Sequence, residues 1–120
     1  MARIPEDGGP ETLSTIIARY LSPAHRDAPG KGCTFAALGC EMPRQGAPVR
    51  RAFTEGLRAR LAGLSALLPG QSKAREDRAL ALLAGMVGAL ILARAVDDPE
   101  FSDRILDATS AALQDHVQVE

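Results

Sequence analysis

The chain has 120 residues, 46% of them apolar and 24% charged, which suits one folded domain with a modest core and excludes a disordered segment. Aromatic residues make up only 3%, so the core must be aliphatic, and that composition favours packed helices over a sheet. A net charge of -1 excludes an overall basic footprint for nucleic acid.

Proline and glycine divide the chain into helical segments. Residues 1–9 read as a flexible lead-in and residues 10–120 as a single domain. Pro10 stands at a first helical position, with Leu13, Ile16, Ile17, Tyr20 and Leu21 following at helical spacing. Ser22-Pro23 ends that helix, because the residue before proline leaves the helical region. The connector "HRDAPGKGCTFAALGCE" follows, from His25 to Glu41, and its "DAPGKG" is turn chemistry.

A short second helix is predicted from Cys33 to Met42, with Pro43 ending or kinking it. Pro48 opens a third, which carries Val49, Phe53, Leu57, Leu61, Leu64 and Leu68 on one face. "LPGQS" ends it and offers Ser72 as N-cap for a fourth helix, Lys73 to Val96. Asp98 and Pro99 are N-cap and first residue of a fifth, which frays near His116. No stretch alternates with period two for long enough to be a strand. The expected fold is therefore all-α, with five helices.

The fourth helix has the strongest pattern. Ala81, Gly85, Ala89 and Ala93 recur every four residues as a stripe of small side chains, with Gly88 on a neighbouring face. Two glycines inside a helix cost about 1 kcal/mol each relative to alanine, and close approach of another helix offsets that cost. The rest of the helix is apolar nearly all round, so it must be covered on several sides. The fifth helix also shows two apolar edges, Ile105/Ala108/Ala112 and Leu106/Thr109/Leu113. Helices four and five are therefore expected to pack against their copies as a four-helix bundle in a homodimer. The interface residues would be Ala81, Gly85, Val87, Gly88, Ala89, Ile91 and Arg94, with Ile105, Leu106, Thr109, Ala112 and Leu113.

Charge is unevenly spread. Arg44 to Arg60 holds five arginines and one glutamate, whereas Asp97 to Glu120 holds seven acids and one arginine. These read as solvated helix faces, or as a complementary contact within or between subunits. The N-terminus lacks the apolar core of a secretion signal. The longest uncharged apolar run, Ala79 to Ala93, falls short of the roughly 18 residues a bilayer span needs. A cytoplasmic protein with no membrane partner is expected.

The connector gathers a histidine, two cysteines and a glutamate, but no site pattern. A phosphate-binding loop needs G-x-x-x-x-G-K-[ST] after a strand, and Gly30-Lys31 is followed by Gly32. Cys33 and Cys40 are two helical turns apart, about 10 Å on one face, too far to share a metal. No metal or cofactor is expected. His25 with Cys33 could make a nucleophile pair by composition, but no third orienting group is evident. Free cysteines are usually small buried hydrophobes, and catalysis is not expected.

The stretch "YLSPAHRDAPGKGCTFAALGCEMPRQGAPVRRAFTEGLR" resembles the C-terminal effector-binding domain of TetR-family (tetracycline-repressor-like) transcriptional regulators. The motifs are Tyr20 at a helix end, Gly32-Cys33, Ala37-Leu38-Gly39 with Glu41, and Pro48-Val49-Arg50 at the start of a long helix. The later "ALALLAGMVGALILARAVDDPEFSDRILDA" is similar to the family's last two helices, its dimer interface. The resemblance covers nearly the whole chain from Pro10 onward, but it finds none of the family's N-terminal helix-turn-helix domain. On this basis the chain is one half of a regulator or a natural truncation, and reaches DNA only through that missing domain.

The resemblance further implies an apolar cavity for a small hydrophobic effector. Candidate cavity residues are Tyr20, Cys33, Phe35, Leu38, Met42, Phe53, Leu57, Leu61 and Met86. Tyr20 and His25 would orient a ligand, and Arg60 could pair with an anionic one. Two alternatives remain: a ligand-free dimerisation module that forms heterodimers, and a small helical thiol enzyme using Cys33 and His25.

Overall fold

A computed structural model describes residues 10–118, and every regular element among them is helical. The predicted lead-in over 1–9 lies outside the described residues. Six α-helices follow in order: α1 (Pro10–Tyr20), α2 (Pro23–Arg26), α3 (Thr34–Leu38), α4 (Ala47–Ser65), α5 (Ser72–Ala95) and α6 (Pro99–Gln118). Tight 3-10 turns occupy Pro29–Lys31 and Gly39–Arg44.

Local chemistry explains most of the boundaries. Ser22 sits in extended backbone, and its Oγ accepts a hydrogen bond from the His25 amide at 3.2 Å, so Ser22-Pro23 both closes α1 and opens α2. Asp98 caps α6 as expected: its carboxylate accepts from the Glu100 and Phe101 amides at 3.0 and 3.2 Å. "LPGQS" turns at Gly70, whose φ of 107° is a left-handed conformation that glycine adopts without strain.

Four expectations need correction. Ser22-Pro23, read only as the end of the first helix, also opens the four-residue α2, which runs into the connector and is made possible by the Ser22 cap. Ser72 is not an N-cap: Gln71 holds the extended position, and Ser72 is already the first helical residue. The predicted helix from Cys33 to Met42 is broken at Gly39, because Pro43 has no amide hydrogen and its ring would meet the carbonyl of residue 39 in an α-helix. The final helix continues through His116 to Gln118.

The core is aliphatic, as the composition requires. α5 is its axis and buries Ala79, Leu82, Leu83, Met86, Ala89, Leu90 and Ala93. Around it pack Leu13 and Ile17 of α1, Leu64 of α4, Leu106 and Val117 of α6, Ala36 of α3 and Cys33 just before it. By length and composition α5 could cross a bilayer. In this fold it is the helix that α1, α2, α3, α4 and α6 all pack against. The N-terminal half of α4 stands clear of the core apart from the half-buried Phe53, whereas Leu57 and Leu61 are half-buried further along and Leu64 and Ser65 are buried at its end.

Candidate ligand cleft and open apolar face

The connector is built around His25. Its Nδ1 lies 2.7 Å from the Tyr20 carbonyl and its Nε2 lies 3.0 Å from the Cys33 amide. A carbonyl only accepts and an amide only donates, so the ring is the neutral tautomer with its hydrogen on Nδ1. The ring also meets Tyr20 edge to face, with centroids 4.7 Å apart.

Arg94 of α5 reaches over to donate to the carbonyls of His25 and Arg26 at 2.9 and 3.0 Å. Those carbonyls end α2, and that of His25 also accepts from the Ala28 amide at 3.2 Å. Arg26 then ties α2 to α6: it donates to Asp103 at 2.6 Å and to Ser102 at 3.1 Å, while also bonding its neighbour Asp27. Ser102 is buried and passes its own hydrogen to the Ala93 carbonyl at 2.6 Å. The connector is thus fixed to α5 and α6 through charge-assisted bonds. The exposed Asp27 carboxyl is held below its ordinary value by the bonded Arg26 guanidinium.

Between the connector, α1, α4 and α5 lies a cleft of about 470 Å³, within the range of small-molecule sites. Ile16, Ala24, Ala28, Leu64, Leu83 and Met86 give it apolar walls. Tyr20, His25, Ser22, Arg19, Lys31 and Arg60 supply its polar groups, and Gly32 completes it. Tyr20 is 8% exposed, and its hydroxyl is buried with no hydrogen-bond partner. Burial, and then the neighbouring Cys33 thiol, push the Tyr20 phenol far above its ordinary value. Burial lowers the half-buried Arg60 guanidinium.

A second, shallower groove of about 250 Å³ runs between the 3-10 turn, α4 and α5. Phe35 and Phe53 stack edge to face there, 5.4 Å apart, beside Leu57, Val87 and Ile91.

The candidate cavity residues therefore separate. Tyr20, His25, Arg60 and Met86 meet in the larger cleft, whereas Phe35, Phe53 and Leu57 line the groove. Leu61 and Met42 are half-buried and line neither. Leu38 is 42% exposed: it stands about 200° around α3 from the buried Ala36, on the opposite side. His25 spends both ring nitrogens on backbone, so it shapes the cleft rather than offering a ligand a hydrogen bond. Cys33 is fully buried behind Tyr20, and Nε2 of His25 takes the Cys33 amide, not its thiol. No nucleophile-base pair is assembled there. Cys33 and Cys40 do not share a helix face: one precedes α3 and is buried, and the other lies exposed in the following turn. Sequence reading missed Arg19, Lys31, Leu64 and Leu83. The two cations gave no sequence signal, because only the fold of the connector brings them to the cleft.

The expected interface residues also divide. The small stripe faces the chain's own α6: the Leu113 methyls would sit 3.5 Å from a Cβ added at Gly85, and Ala89 and Ala93 are buried. Leu106 is 1% exposed, a core residue rather than a surface one. Arg94 binds the connector, as its reach from α5 to the end of α2 allows. Val87, Ile91, Ile105, Thr109 and Leu113 are half-buried, whereas Ala81 and Ala112 are exposed and Gly88 has open space beside it.

The open surface of α5 runs instead through Leu80, Ala84, Gly88 and Leu92, every fourth residue, with Leu80 and Leu92 48% and 57% exposed. On α6 a matching stripe runs through Phe101, Ile105, Ala108 and Ala112, with Phe101 49% exposed. Gln114 of α6 bonds Ser14 of α1 through both its amide groups. That contact fixes a different side of α6 against α1 and leaves the stripe uncovered.

No family model matches the chain, and no curated protein or solved structure does.

Proposed function

We propose that these residues form the effector-sensing and dimerisation domain of a TetR-like transcriptional regulator, with α5 and α6 pairing with their copies as a four-helix bundle. The expected five-helix arrangement corresponds to α1, the connector with its short helices, α4, α5 and α6. One observation supports this above the rest. A cleft of about 470 Å³ and an uncovered apolar face share α5, and the connector that walls the cleft is tied to α6 through Arg26 and Asp103.

A ligand between α1, α4 and the connector would favour one arrangement of those elements over another. Its effect would equal its differential affinity for the two. The Arg26 and Arg94 bonds give such a shift a rigid route to α6. DNA would be read through a helix-turn-helix domain of the kind these regulators carry. The occupant of the cleft would be a small, mainly apolar molecule, because most of the wall is aliphatic.

The test uses a feature of the composition: Tyr20 is the single tyrosine, there is no tryptophan, and Tyr20 sits in the cleft. A panel of small hydrophobic compounds is titrated while tyrosine emission and thermal unfolding are followed. A ligand that changes the emission is expected to stabilise the fold, by about 2.7 kcal/mol at a hundredfold excess over Kd. A broad panel in which no compound moves either signal contradicts the proposal.

A further inference from the structure

Three cations meet the cleft and no acid does. Arg19, Lys31 and Arg60 all line it, and none of them forms an ion pair among the described residues. This contrasts with Arg26, Arg44 and Lys73, each of which pairs with a carboxylate. Arg60 is the inner member. It is half-buried, and burial lowers its guanidinium, which is partly stripped of water without a counter-ion among the described residues. Burying a cation unpaired is costly, and an anion placed beside it removes that cost. The Tyr20 hydroxyl, buried and unpartnered in the same wall, is a second unused polar group. Beyond these groups the walls are Ile16, Leu64, Leu83 and Met86.

From this juxtaposition we infer that the cleft takes an amphipathic anion: a carboxylate at the Arg60 guanidinium, with Arg19 and Lys31 toward the rim, and an aliphatic or aromatic body against Ile16, Leu64, Leu83 and Met86. The inference rests on the effector-binding reading above and narrows it from any small hydrophobic molecule to an organic acid. The planar fork of arginine matches a carboxylate with two parallel hydrogen bonds. The same seat repels an ammonium and gives an alcohol no ionic partner.

The experiment compares three probes with one apolar body: decanoate, decanol and decylammonium, each below its aggregation limit, titrated against the full chain by Tyr20 emission and calorimetry. Decanoate is expected to bind about tenfold or more tighter than decanol, and decylammonium weaker than both. Arg60→Met keeps the apolar stem and removes the charge. It is expected to bring decanoate down to the decanol affinity and to leave decanol within about twofold. Arg58→Met, an exposed arginine of the same helix outside the cleft, is expected to change nothing.

Equal binding of decanoate and decanol overturns the anion seat while leaving an apolar effector cleft standing. An equal loss on Arg58→Met and Arg60→Met overturns it in favour of diffuse attraction. Failure of all three probes overturns both the seat and the cleft. The ranking of probes on the unmodified chain decides the matter even if Arg60→Met does not fold.

Discussion

Gly32 is where the connector has no room for a side chain. A Cβ there would stand 2.4 Å from Nε2 of His25 and 3.2 Å from the Arg94 guanidinium. The imidazole cannot swing away cheaply, because both its nitrogens are bonded to backbone. Gly32→Ala is therefore expected to destabilise the fold by about 1–3 kcal/mol, the usual cost of overpacking. Chemical denaturation checks it, and a neutral result would mean that the His25 lock is loose. Tyr20 gives a second expectation at this scale. Its phenol is raised above the ordinary 10.0 by burial, so the fold prefers the neutral form. That contribution to stability is complete below the ordinary value and is lost as pH rises beyond it toward the raised one. An alkaline titration followed by phenolate absorbance is expected to show Tyr20 ionising only together with unfolding. Ionisation near 10.0 in the intact fold would place the ring in water.

At the scale of elements, α5 shows how a helix that is apolar all round divides its sides. Its small stripe, with Gly85 under Leu113, meets α6 of the same chain. Its large residues Leu82, Met86 and Leu90 fill the core. The Leu80, Ala84, Gly88 and Leu92 line is left over, with the exposed Ala81 beside it. Spacing of small residues says that a helix comes close, but not which helix, so Gly85, Ala89 and Leu106 read equally well as subunit contacts. Leu106→Ala is expected to cost about 2–5 kcal/mol of unfolding free energy, as for a fully enclosed leucine. A loss under 1 kcal/mol would return that residue to the surface, where substitutions usually cost less. The helix start at Asp98-Pro99 was legible because its capping chemistry is local. Pro43 was read as ending or kinking its helix, but the place of the break at Gly39 and the short α2 were not legible, since each depends on a single proline or serine in a segment with no clear period.

For the whole molecule, composition was enough to indicate an all-helical aliphatic fold. The cleft was legible only in part. Tyr20, Arg60 and Met86 were named from the sequence, and they do converge. His25 was named for the wrong role, because its partners are backbone groups that no side-chain pattern reveals. Arg19 comes from α1 and Lys31 from the connector, and folding alone brings them together. The charge asymmetry persists: among the described residues no ion pair joins the arginines of α4 to the acids of α6. The exposed apolar stripes of α5 and α6 are suited to a second copy.

The measurement that bears most directly on the regulator account is the molar mass of the chain in solution, by light scattering on a sizing column, alongside Leu92→Glu. The expected result is a mass twice the 12.6 kDa of one chain, falling to the single-chain value when a charge is placed at Leu92. A single-chain mass for the unmodified protein at high micromolar concentration would contradict the account. The exposed faces of α5 and α6 would then not join two copies of the chain.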